Sequence, residues 1–142
     1  MAIQQLSVFV ENQKGKLLGT VKTLADAGIN IRAMSIADTK DFGILRLITS
    51  DNQKAMEVLA DESIVNTTMV IAAKMEDRAG ALYQVLQILS DAQINIEYLY
   101  AFTASEDFGA YVVFRVSDAA AAQEILNAHG VATLDDADIV EI

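Results

Sequence analysis

The sequence predicts an α+β fold made twice: two successive βαββαβ units, each an antiparallel sheet with its helices on one face. Three observations lead there. First, Glu11 to Ile31 (ENQKGKLLGTVKTLADAGINI) aligns with Glu76 to Ile96 (EDRAGALYQVLQILSDAQINI) at a shift of 65 residues. Nine of those 21 positions are identical, where unrelated segments share about one or two. Second, the match resumes downstream, with Asp41-Phe42-Gly43 against Asp107-Phe108-Gly109 and Ser50-Asp51 against Ser117-Asp118. Third, each copy alternates apolar runs of strand length with stretches of helical spacing. A chain of 142 residues holds one ordinary domain or two small ones. The repeat decides for two, 1–66 and 67–142.

The elements follow in order. Val8 to Val10 and Val70 to Ala73 are β-branched apolar runs, each leading into a polar loop with Gly15 or Gly80. Leu17, Leu18, Val21, Leu24 and Ala25 then fall on one helical face, as do Leu82, Val85, Leu86 and Leu89 in the second copy. Gly28 stands where a helix C-terminus wants a left-handed residue, and the second copy has Gln93 there. Strands are expected over Ile29 to Ala37 and Ile94 to Phe102, then Leu45 to Thr49 and Tyr111 to Val116. Gly43 and Gly109 lie at the turn or bulge before the latter pair. Short helices follow at Asn52 to Ala60 and Ala119 to Ala128, with Asp51 and Asp118 placed as N-caps. Thr67 to Met75 closes the first copy and opens the second, so that strand is shared or exchanged. The strands are apolar on both faces, which predicts cover for the second face from another chain or from the other repeat.

Composition narrows the chemistry. There is no Cys, no Trp, no Pro and a single histidine, His129, so thiolate catalysis, Cys-based zinc sites and disulfides are excluded. The net charge of −10 argues against a nucleic-acid partner. That charge is uneven: residues 1–65 carry a net −1 and residues 66–142 a net −9. Seven of the nine aromatics also lie in the second copy, where they fill core or shape a more specific pocket. No run approaches the roughly 20 apolar residues that cross a bilayer, and no leader is evident, which points to a cytoplasmic protein with no membrane partner.

The loop-helix-turn pattern ending in AGINI and QINI resembles the ACT-domain family of small-molecule-sensing regulatory modules, over essentially the whole chain as a tandem pair. EDRAGAL in the second copy is the closer match. Where many members carry Pro before the loop Gly, this sequence has Lys14 and Ala79. The resemblance implies two ferredoxin-like units, a binding and regulatory role rather than an enzyme, and an amino acid held where two such domains meet. It further implies a homo-oligomer, a dimer, and a partner enzyme or transporter of amino-acid metabolism, with no cofactor and no metal. The ligand-binding residues carried over are Asn12, Gln13, Lys14, Gly15, Lys16, Leu17, Asn30 and Ile31 in the first copy. In the second they are Asp77, Arg78, Ala79, Gly80, Ala81, Leu82, Asn95 and Ile96. Elementary chemistry supports the placement: glycine lets backbone approach a ligand, first-turn N–H groups favour a carboxylate, and Asn offers donor and acceptor to a zwitterion. The same glycines serve the turn, and the same Asn residues cap a strand start, with equal ease.

Other signals carry less. The Asp-Phe-Gly triplets lack the rest of a kinase motif set, and Phe42 and Phe108 are expected to pack under hairpins. GKLLGT lacks the Lys-Thr step of a phosphate loop, and Asn66-Thr67-Thr68 reads as a polar strand edge rather than a glycosylation site. Asp135, Asp136 and Asp138 read as a solvated terminal loop rather than a cation site. His129 suits a helix C-terminus. Two alternatives to sensing stand: a structural oligomerisation subunit without ligand, and a small ferredoxin-like hydrolase using Arg78 and Asn95 on an anion loop.

Overall fold

The computed structural model describes residues 2–38, 41–103 and 109–141. In chain order the elements are β1 (Ile3–Glu11), α1 (Lys16–Asp26), β2 (Ile31–Asp38), β3 (Phe42–Thr49), α2 (Asn52–Leu59), β4 (Val65–Met75), α3 (Ala81–Asp91), β5 (Ile96–Thr103), β6 (Ala110–Val116), α4 (Ala119–Ala128) and α5 (Asp136–Glu141). The chain forms two compact units, Gln4–Thr68 and Met69–Ile142 with Met1–Ile3, so the boundary falls within β4.

In the first unit the antiparallel order is β2-β3-β1, with Leu6 opposite Leu47 and Glu11 opposite Phe42. Period-two alternation sends Leu6, Val8 and Val10 of β1 and Leu45 and Leu47 of β3 to one side. There they form a core with Leu24 of α1 and Ala55 and Leu59 of α2. The second unit repeats this with the order β4-β6-β5. Its core joins Ile71, Ala73, Val112, Phe114 and Val116 to Val85 and Leu89 of α3 and Ala122 and Leu126 of α4.

Helix ends match the expected local chemistry. Asp51 accepts from the Lys54 N–H and Asp118 from the Ala121 N–H, both at 3.0 Å, so each side chain satisfies one of the unpaired first-turn donors. At the end of α1, Gly28 is left-handed (φ 71°), with its N–H on Ala25 O and the Ile29 N–H on Leu24 O. In α3, Gln93 takes the same place (φ 61°), with the same pair of bonds to Ser90 O and Leu89 O. These are Schellman caps, and Gln93 is the one non-glycine with positive φ among the described residues. Gly43 does not turn the chain: it lies inside β3, where an added Cβ would sit 3.2 Å from Ile36 Cδ1. Gly109 is left-handed immediately before β6 (φ 76°). Phe108 lies outside the described residues.

The C-terminus corrects two expectations. The closing strand of the second repeat is reduced to a bridge at Thr133 opposite Ala73, flanked by Lys74 N–H on Ala132 O and Leu134 N–H on Ala72 O. Asp135, Asp136 and Asp138 are not a solvated loop but the start of α5. The Asp138 carboxylate accepts from the Asp135 N–H at 2.9 Å and Asp135 from the Asp138 N–H at 3.1 Å, a reciprocal capping box. Ile139 of α5 is buried. Tyr111, which alternates with Val112 and so faces away from α3 and α4, has its pKa raised by burial and then by the charge of Asp138.

Candidate functional site

Each unit's first strand runs into a loop that turns through a left-handed glycine and starts a helix. Gly15 (φ 84°) and Gly80 (φ 87°) are the N-caps of α1 and α3, and neither supplies a side-chain cap. The two loops share one hydrogen-bond pattern. Gln13 N–H donates to Glu11 O and Lys16 N–H to Gln13 O, just as Arg78 N–H donates to Glu76 O and Ala81 N–H to Arg78 O. The αL conformation is open to glycine and strained for most other residues. With no capping side chain and no acid in either first turn, the partial positive charge of both helix starts is uncompensated by the chain's own carboxylates there.

Beside each loop lies a groove at the corresponding place of the repeat. The first, of about 560 Å³, runs between the end of β1, the opening turns of α1 and Glu62 to Ile64 after α2. The second, of about 380 Å³, runs between the end of β4, the opening turns of α3 and His129 to Ala132 after α4. Corresponding backbone bonds pin both: Phe9 N–H to Ile64 O at 3.1 Å, and Lys74 N–H to Ala132 O at 2.8 Å.

Of the residues expected from sequence, the first groove takes in Gly15 and Lys16, with Glu11 beside them. The second takes in Arg78 and Ala81. Asn12, Gln13, Lys14, Asp77, Ala79 and Gly80 stand exposed on the loops outside the grooves. Leu17 and Ile31 pack against the first core, and Leu82 and Ile96 against the second. Asn30 and Asn95 are exposed, and each sits at the opposite end of its sheet from the loop: Ile31 pairs with Thr49 and Ile96 with Val116, whereas the loops leave at Glu11 opposite Phe42 and Met75 opposite Ala110. Within one unit, the Asn and the glycine loop therefore do not meet. The Asn30 N–H instead donates to Ser50 Oγ at 3.0 Å, and the Ser50 N–H to Asn30 O at 2.9 Å.

The grooves also hold residues that the sequence did not assign to a binding site. In the first these are Phe9, Gly19, Thr20, Phe42, Glu62, Ser63 and Ile64; in the second, Lys74, Gln84, Val85, Ile88 and His129 to Ala132. The residues after α2 and α4 come from the far end of each repeat, and only the sheet order brings them beside the first strand. Charges in the grooves are partly committed. Lys16 Nζ lies 3.9 Å from Glu11, Glu62 accepts from Thr23 Oγ1 at 3.0 Å, and Arg78 engages Glu76 through Nε and Gln84 through Nη2. His129 caps α4 with Nδ1 2.8 Å from Ile125 O. Among the second copy's aromatics, Tyr100, Tyr111 and Phe114 are buried: Phe114 lies in the core with α3 and α4, while Tyr111, stacked on Phe102 at 5.5 Å, lies on the opposite face of the sheet, and none of them lines the second groove. No helix of the described residues is long and apolar enough to cross a membrane.

Comparison with known proteins places this architecture. The sequence matches the family model for the ACT domain pair over residues 1–142. No curated protein matches it. Among solved structures, protein BT0572 from Bacteroides thetaiotaomicron is 38% identical with a TM-score of 0.92, over 100% of this chain and 98% of that one. The ligand-free regulatory subunit of aspartate kinase from Thermus thermophilus is 16% identical with a TM-score of 0.63, over 88% and 91%. Aspartate kinase from Synechocystis is 20% identical with a TM-score of 0.60, over 91% of this chain and 26% of that one. At those last two identities the likeness is one of fold. With its duplicated βαββαβ units and the family match running the whole length, this chain belongs to the ACT family as a pair of ACT domains.

Proposed function

We propose that this ACT domain pair is a regulatory module that binds an amino acid and passes the bound state to a partner enzyme or transporter of amino-acid metabolism. The observation that carries the reading is the pair of corresponding grooves, each opening beside a glycine-capped helix start with no acid in its first turn, with Glu11 and Glu62 lining the first groove and Glu76 the second. A carboxylate is the natural complement of such a helix start. We further read the two repeats, 1–66 and 67–142, as one module each. A ligand that touches both a glycine loop and an Asn at the INI position needs two domains, because each unit holds those features at opposite ends of its sheet. The ligand site then lies where ACT domains meet, and a cytoplasmic homodimer is the simplest assembly that provides such meetings. A ligand held better in one arrangement of the domains shifts the population toward it, which is the physical content of regulation.

The hydrolase alternative fares poorly. Its anion loop needs Arg78 with Asn95, yet Arg78 is engaged by Glu76 and Gln84, and Asn95 adjoins Ile96 at the Val116 end of the sheet. The test is a melting series of the full chain against each common amino acid. A ligand at ~100 times its dissociation constant adds about 2.7 kcal/mol, a rise of several degrees. If every amino acid leaves the melt unmoved, the structural oligomerisation subunit becomes the better reading.

A further inference from the structure

We propose that the groove of the first repeat selects amino acids with apolar side chains, and that Gly19 is the residue that keeps it open. The inference rests on the sensing role argued above and adds which effectors fit this groove. Three of the nine large apolar side chains left exposed among the described residues line it: Phe9 (37% exposed), Phe42 (49%) and Ile64 (68%). They come from β1, from β3 and from the chain after α2, and exposed apolar groups gathered in one concavity mark a binding surface. The same groove holds opposite charges, Glu11 and Lys16, 3.9 Å apart and each about half exposed. An ion pair so open to water contributes little and is readily exchanged for the ammonium and carboxylate of a zwitterion. The apolar side chain of the ligand then lies against Phe9, Phe42 and Ile64.

Gly19 supplies the independent observation. It sits inside α1, where glycine weakens a helix relative to alanine. Its φ is not positive, and an added Cβ would meet no heavy atom within 4 Å, so nothing in the described protein requires glycine there. The space it leaves is the groove. At the corresponding places the second repeat has Gln84 for Gly19, Lys74 for Phe9 and Ala81 for Lys16, so this preference belongs to the first repeat alone.

The test uses the full chain, with thermal melts and titration calorimetry against L-isoleucine, L-leucine and L-phenylalanine beside glycine, L-aspartate and L-lysine. The apolar three should raise the melting temperature and the other three should not. Gly19→Gln should melt at or above the unsubstituted protein while losing the ligand-induced rise, a combination that misfolding does not produce. Lys16→Gln should weaken binding about tenfold or more, the usual loss for one charge-assisted hydrogen bond. Leu18→Ser, which removes an exposed apolar side chain of the same helix outside the groove, should bind as before. Tight binding of glycine or aspartate without the apolar three would leave sensing intact and overturn this inference. Full binding by Gly19→Gln would overturn it too. If none of the six ligands moves the melt, sensing of these amino acids fails along with it.

Discussion

Replacing Gly80 isolates the cost of the left-handed loop. At φ 87°, an L-residue brings its Cβ against its own backbone, at roughly 1–2 kcal/mol. The added Cβ meets nothing within 4 Å, so no contact with the rest of the protein adds to that cost. Gly80→Ala also restricts the unfolded chain, which returns about 0.4–1 kcal/mol. The net destabilisation is therefore on the order of 1 kcal/mol, or about 4–8 °C if the second unit melts by itself. The origin of the cost fixes an order: Gly80→Asn costs least because Asn tolerates αL, Ala is intermediate, and β-branched Val costs most. Thermal and urea unfolding followed by circular dichroism at 222 nm would read the series. A flat series, or an alanine variant more stable than the parent, would refute the strain argument. Binding sharpens the point. Gly80 stands outside the groove, so Ala there should weaken an effector only as far as it distorts the turn, and Gly80→Val should lose binding beyond its loss of melting temperature.

The remaining predictions rest on single positions. Gln93→Gly copies Gly28 of the first repeat into a left-handed cap (φ 61°) and should stabilise by about 0.5–1 kcal/mol in urea unfolding. Asp118→Ala leaves the Ala121 N–H without its 3.0 Å partner and should cost about 1 kcal/mol, with Asp51→Ala costing a like amount in the first unit. Tyr111 has a folded-state pKa above its ordinary 10.0, so its neutral form is the one the fold favours. The stability this brings is whole below pH 10 and drains away as the pH rises through the folded value. Urea midpoints taken on either side of that range should fall less steeply for Tyr111→Phe than for the parent.

What the sequence reveals of this fold is what duplication and local chemistry reveal. The 65-residue shift identifies both helix starts and both glycine loops, because the same turn must be built twice from the same backbone constraint. Asp51 and Asp118 announce their helices since a carboxylate before an apolar stretch has few better uses than the orphan N–H groups beside it. Gln93 is legible only through its repeat partner Gly28: nothing in a lone glutamine signals positive φ. The C-terminal acids mislead for a physical reason. Asp135 and Asp138 look like a solvated loop until the reciprocal bonds of a capping box are formed, and Asp is common to both settings.

The site is less legible because it is made of distance rather than pattern. Reading along one chain, Gly15 and Asn30 stand only 15 residues apart and invite assignment to one pocket. An 11-residue helix rises about 16 Å, and α1 spends that length carrying the chain from one end of the sheet to the other. Glu62 to Ile64, by contrast, are remote in sequence and adjacent to Phe9 in space, since the chain after α2 returns beside β1. A second consequence concerns divergence. Most of the net charge and most of the aromatics sit in the second repeat, which on composition alone draws attention there; yet Tyr100, Tyr111 and Phe114 are buried and none of them lines its groove. The first repeat, nearly neutral and poor in aromatics, leaves both Phe9 and Phe42 exposed on a groove. On the sensing role proposed above, the repeat expected to recognise an effector is the one whose exposed apolar side chains line its groove, not the one in which a residue type is most abundant.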